Sequence, residues 1–155
     1  MMPVDRLDPA PLPLRWAAGL VDLILLGAVG NLAGLTVLEL AGARGGWGTV
    51  GLAVLVVLAT AAAYFAAGEG RWGTTLGKLA VGIRVVAGDG RPPGFRRALG
   101  RFAVRLVGTA LLGAGWWPAL VGSPRERGRT WHDAVAGTRA VRWRPWQQAT
   151  GAAAR

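Results

Sequence analysis

The sequence predicts an all-α membrane protein with two transmembrane helices, a third hydrophobic segment and a small cytoplasmic β-element. Three observations carry that reading. Two apolar runs are each long enough to cross a bilayer, the mean hydropathy is +0.36, and 17 of the 18 Lys and Arg residues lie outside the short loop between those runs. At 155 residues the chain has the length of a single domain. Residues 1–13 read as a tail, 14–143 as the membrane domain and 144–155 as a second tail. No internal repeat is visible.

The first run, Trp16 to Leu38, is 23 residues with Asp22 as its one charge. The second, Gly48 to Ala67, is 20 residues with none. A helix of ~20 residues crosses ~30 Å of hydrocarbon, so both suffice. Ala41-Gly42-Ala43 resembles a signal-peptidase site. The run before it is much longer than the ~7–15 residues of a signal core, and the preceding stretch is not basic. A retained helix is expected.

The third run, Val104 to Val121, contains Arg105, Gly108, Gly113, Gly115 and Pro118, and is compatible with either spanning or re-entry. Short loops rich in Lys and Arg stay cytoplasmic. Arg44 alone lies between the first two runs, eight cations lie from Arg71 to Arg105, and seven from Arg125 to Arg155. A full third crossing would place the last seven outside, whereas re-entry keeps 17 inside and one outside, so re-entry is favoured. Trp16, Trp47 and Trp72 at segment ends suit the headgroup region. Trp116 and Trp117 would place part of the third run near an interface. The +10 charge then reflects topology and attraction to anionic lipid, with no nucleic-acid motif beside it.

The polar segments follow in order. Ile83-Arg84-Val85-Val86 alternates and ends at Gly88-Asp89-Gly90, a strand and turn. Pro92 and Pro93 interrupt, and Arg96 to Arg105 restarts as a basic amphipathic helix. Thr138 to Trp143 alternates again, so the two strands can pair if both lie on one side. Two phosphate-loop look-alikes fail on context: Gly68-Glu69-Gly70-Arg71-Trp72-Gly73 follows a membrane helix, and Gly73 to Lys78 has the wrong spacing with Leu79 after the lysine.

Candidate functional residues are few. Cys is absent and His132 is the only histidine, which excludes thiolate sites and any pair of imidazoles. No cofactor loop, metal set or catalytic triad is present, so neither a cofactor nor enzymatic activity is expected. Asp22 stands out. It lies nearly two turns after Arg15 on the same helix face, with ~10 Å of rise between them. A carboxylate at that depth costs on the order of 2.5–3.5 kcal/mol, so it requires a partner, water or another helix. Arg15 can snorkel to the interface, which leaves Arg101 or Arg105 as partners for Asp22. A packing ion pair and a proton- or ion-handling role both fit. Asp133 precedes Ala134-Val135-Ala136 and fits a helix-start cap. Lys78, the only lysine, reads as a solvated loop charge rather than a lipid-phosphate contact.

Together these residues resemble the RDD family of small prokaryotic membrane proteins. The resemblance covers about Leu14 to Val141. Arg15, Asp22 and Asp133 match the three residues that give the family its name. Thr75-Leu76-Gly77-Lys78, Gly82-Ile83-Arg84-Val85-Val86, Asp89-Gly90, Ala98-Leu99-Gly100-Arg101 and Arg129-Thr130-Trp131-His132-Asp133 are similar as well. The departures are a Gly-rich third run and the lack of a sizeable soluble extension. The resemblance implies a multi-pass protein of a bacterial cytoplasmic membrane and transport of an unidentified ligand. A scaffold or accessory subunit is the alternative. Gly30-x-x-x-Gly34 and the Ala59, Ala63, Ala67 spacing offer faces for self-association or a membrane partner.

Overall fold

The computed structural model describes residues 7–42, 46–111 and 130–143. Helix α1 spans Leu12–Ala41 and α2 spans Trp47–Ala67, the latter continued by a π-helical turn, Gly68–Trp72. Both are long and apolar enough to cross a membrane. Their outer faces are apolar as well: Leu23, Leu32 and Leu55 are 67, 69 and 63 % exposed. Leucine in that position has no place to go in water but is at home against acyl chains.

The residues α1 buries are Arg15, Ala18, Asp22, Gly30 and Gly34, a single stripe at helical spacing. Its far half explains how the two helices come close. A Cβ on Gly30 would meet Val57 Cγ1 at 3.2 Å, and one on Gly34 would meet Val57 Cγ2 at 3.3 Å. The Gly30/Gly34 face expected to serve self-association or a membrane partner is thus occupied by α2 of the same chain. Of the second expected face, Ala59 and Ala63 stay exposed.

Beyond the π turn come α3 (Leu76–Ala80), β1 (Ile83–Ala87), α4 (Gly94–Ala110), α5 (Trp131–Val135) and β2 (Thr138–Arg142). The two strands pair antiparallel with Val85 opposite Ala140. The N-terminal segment extends the sheet, since Ala10 N–H donates to Ala140 O at 3.0 Å and Arg142 N–H to Asp8 O at 2.9 Å. Ala10, Ala18, Ile83 and Ala140 form a small apolar core beneath it, with Leu14 and Val81 packed alongside. Residues 8–10, α3, both strands and α5 therefore gather at one end of the helix pair, where α1 begins and α2 finishes.

The basic amphipathic helix expected from Arg96 to Arg105 is α4, which starts right after the Pro92-Pro93 break and runs through Arg105 without interruption to Ala110. The hydrophobic run at 104–121 is thus not a separate segment at its start. Its remainder, with Trp116, Trp117 and Pro118, lies outside the described residues, as do the Arg44 loop and the tail 144–155. Phe102 of α4 stacks on Phe65 of α2 with ring centroids 5.6 Å apart, which fixes α4 against the helix pair.

Candidate functional site

Three buried carboxylates organise the polar end, and each joins segments remote in sequence. Asp22, 1 % exposed, projects from the buried stripe of α1. Its Oδ1 accepts the Tyr64 hydroxyl at 2.7 Å and the Gly77 N–H at 2.8 Å. Its Oδ2 accepts the Thr75 hydroxyl at 2.6 Å and lies 3.6 Å from Lys78 Nζ. A carboxylate has about four lone-pair positions, and here each faces a donor. Asp22 thereby ties α1 to α2 and α3.

Glu69 sits within the π turn, a local widening of the helix that often accompanies a special site. Lys78 Nζ donates to its Oε1 at 2.9 Å and Arg101 Nε to its Oε2 at 2.8 Å, with Arg105 3.7 Å away. This second joint links the end of α2 to α3 and α4.

Asp133 makes the third. One oxygen receives Arg15, the other Arg101, and the Thr130 hydroxyl adds a bond at 2.9 Å. Thr130 and Asp133 also form a capping box that starts α5. Arg101 reaches on to Thr138 at the start of β2. Arg15 donates to Thr130 Oγ1 at 3.0 Å. His132 Nε2 lies 2.9 Å from the same hydroxyl oxygen. The network is continuous from Tyr64 through Asp22, Lys78, Glu69, Arg101 and Asp133 to Arg15.

Several expectations change here. Arg15 does not snorkel; it is buried and paired with Asp133. Asp22 is not held by Arg101 or Arg105 but by Tyr64, Thr75, Gly77 and Lys78. Lys78 is not a solvated loop charge, because α3 tucks it beneath α1 between two carboxylates. Asp133 does accept a backbone N–H at a helix start, from Thr130 at 3.3 Å, but as the third residue of the helix rather than its cap. Arg15 and Asp133 are brought together, while Asp22 stands one link away. Glu69 was absent from the expected set. Its signal was an acid at the end of a charge-free span, obscured by the glycine-rich look-alike around it.

The charges shift one another. Burial alone would raise the Asp133 carboxyl, but Arg101 and Arg15 hold it well below the usual carboxylate range. Burial pushes Lys78 down against the pull of Glu69. Burial also pushes His132 down to about 3, with Asp133 opposing and Arg101, Arg105 and Arg15 reinforcing. His132 is therefore neutral in the folded protein at ordinary pH. An unfolded chain takes up a proton near pH 6.5 that the folded one refuses until about 3. Stability should fall as pH drops below about 6.5, by up to about 1.4 kcal/mol per unit. His132→Gln keeps a hydrogen-bonding group beside Thr130 and removes the titration. Melting temperatures from pH 7.5 to 5 should decline in the parent and stay flat in the variant, since Asp133 gives up its contribution only in stronger acid. Parallel curves would refute this.

Among the described residues no group of three His, Asp or Glu side chains is arranged to hold a metal ion. A family model described as the RDD family matches residues 9–137, most of the chain. No curated protein and no solved structure matches it.

Proposed function

The chain belongs to the RDD family, and from that premise we propose that it is a multi-pass protein of a bacterial cytoplasmic membrane that handles an ion or small solute, alone or as a subunit. The observation that supports this is the buried network itself. Seven ionisable side chains sit in one cluster at the end of two lipid-facing helices. Well-packed apolar residues would hold these segments together at no greater cost, because desolvation cancels much of the attraction within buried ion pairs. Ionisable groups at the edge of a bilayer are therefore read first as functional. The positive-inside distribution supports a cytoplasmic position for the network and for both tails. No enzymatic step is proposed.

The second reading, a scaffold or accessory subunit, is favoured by one feature. Every carboxylate in the network already has its donors, as a purely structural joint would require.

One double substitution separates the two. In Asp22→Asn the amide oxygen can keep Tyr64 and Gly77, and the Thr75 hydroxyl can rotate to accept from the new NH2. Lys78 cannot rotate away its charge, so the single variant should lose stability, by about 1–3 kcal/mol. Adding Lys78→Met removes that mismatch and leaves the network's net charge unchanged, while Glu69 loses its Lys78 bond and keeps Arg101 at 2.8 Å and Arg105 at 3.7 Å. Neutralising Arg101 or Arg105 instead would not relieve it, since neither touches Asp22.

The assay is proteoliposome flux under imposed sodium, potassium, chloride or proton gradients. If Asp22 handles the transported species, the double variant should assemble normally and lose flux by about tenfold or more. If Asp22 only packs, flux per folded protein should match the parent even though the lost Lys78–Glu69 bond lowers stability. A parent protein that moves none of these ions and copurifies with a larger membrane protein would replace transport by the accessory role.

A further inference from the structure

Among the described residues the ion pairs of the network join four basic side chains, Arg15, Lys78, Arg101 and Arg105, to three carboxylates, Asp22, Glu69 and Asp133, with His132 neutral. The surplus can be located. Glu69 gives one oxygen to Lys78 and the other to Arg101, and Arg105 reaches it only at 3.7 Å. The Arg105 guanidinium instead lies 3.8 Å above the Phe65 ring. Its side chain is 21 % exposed, against 3–10 % for the other three cations.

What Arg105 faces is apolar. A groove of about 590 Å³ runs between α1, α2 and α4, walled by Leu20, Leu23, Leu26, Leu58, Phe65 and Leu106, with Arg15 and Arg105 at its polar end. A second cavity of about 30 Å³ adjoins it. The two share Arg15, Gly19 and Arg105, and the small one is lined further by Lys78, Arg101 and His132. That volume admits about one water-sized group, such as a single phosphate oxygen. A cation-lined pocket for one oxygen therefore lies beside an acyl-chain-sized groove, with Arg15, Gly19 and Arg105 between them.

We infer that this groove is a binding site for one anionic phospholipid. The singly charged phosphodiester sits against Arg105 and Arg15, and an acyl chain runs along α1 and α2 toward Gly27. Charge complementarity selects this occupant, because one phosphodiester neutralises the one surplus cation. A zwitterionic lipid brings no net charge, and a free anion leaves the apolar walls unused. The site goes beyond the proposed function, since it would be filled whether or not a solute is moved.

The test is native mass spectrometry of the full-length protein in detergent, titrated with phosphatidylglycerol, phosphatidylcholine of the same chains, or inorganic phosphate. One tightly held phosphatidylglycerol is expected, preferred over phosphatidylcholine by about tenfold, the order of one charge-assisted contact. Arg105→Gln should abolish the preference, and Arg96→Gln, on the exposed face of α4, should not. Gly27→Leu acts at the other end. A Cβ there meets nothing within 4 Å, so the substitution fills the groove without touching the network. It should weaken binding of phosphatidylglycerol even if Arg105→Gln fails to fold. Equal affinity for the two lipids would overturn the proposal. So would binding unaffected by Gly27→Leu, or displacement of the lipid by inorganic phosphate at matched concentration, which would indicate a simple anion site.

Discussion

Asp133→Asn should destabilise the protein nearly as much as Asp133→Ala, by about 3–5 kcal/mol, the usual cost of stranding a buried partner charge. The comparison is informative because the two roles of Asp133 respond differently. As a contributor to the α5 capping box it accepts the Thr130 N–H, and an amide oxygen can do that at little cost. As the counter-ion of Arg15 and Arg101 it has no neutral substitute. An amide can present one oxygen to one arginine, but its NH2 then points at the other. Both guanidinium groups are almost fully buried, with side chains 5 % and 3 % exposed, so water cannot take over.

The failure should also be long-range. Asp133 is where α1, α4 and α5 meet, and Arg101 connects it to β2 through Thr138 and to the end of α2 through Glu69. Losing it should free residues 130–143 from the helix pair before α1 and α2 separate. Limited proteolysis should then cut the 130–143 segment, with a melting temperature lowered by more than about 5 °C. Adding Arg15→Met should recover part of the loss. An Asp133→Asn protein that melts with the parent would show that capping is the whole role.

The elements were readable because each is a local signal. Length and lack of charge mark α1 and α2. The period-two runs at Ile83–Val86 and Thr138–Trp143 mark the strands, and the Pro92-Pro93 break followed by spaced arginines marks α4. The shared face of Arg15 and Asp22 also follows from helical geometry alone. Partners were harder, because they depend on which segments fold back. Arg15 reads as an interfacial snorkel until β2 returns beside residues 8–10 and brings Asp133 with it. Lys78 reads as solvated until α3 passes beneath α1. Gly30 and Gly34 announce a close helix approach, but nothing in their spacing distinguishes a neighbour in the same chain from a second copy. Glu69 illustrates a different difficulty: the glycines at 68 and 70, which let Thr74 and Phe95 pack closely on its π turn, are the same ones that imitate a phosphate loop.

The structure supplies a reason for glycine at position 77. A Cβ at this position would lie 2.2 Å from Ala18 O and 2.8 Å from the Asp22 carboxylate. The first is backbone of α1 and cannot rotate aside. Backbone strain is not the issue, since Gly77 is not among the positive-φ glycines, and intrinsic helix propensity would favour alanine by about 1 kcal/mol. Any loss in Gly77→Ala is therefore steric. To reach ordinary contact, α3 must withdraw from α1 by roughly an ångström. That movement breaks the Gly77 N–H bond to Asp22 and draws Thr75 and Lys78 away with it, leaving buried acceptors short of donors at about 1–3 kcal/mol each. The expected result is a loss above about 3 kcal/mol, read as poor recovery of folded protein in detergent and a strongly lowered melting temperature. Gly19→Ala is the matched control on α1, where a Cβ meets nothing within 4 Å. It should be neutral or slightly stabilising through propensity. If Gly77→Ala instead melts alongside Gly19→Ala, α3 does not press against α1 as described, and the positions of Lys78 and Thr75 beside Asp22 fall with it.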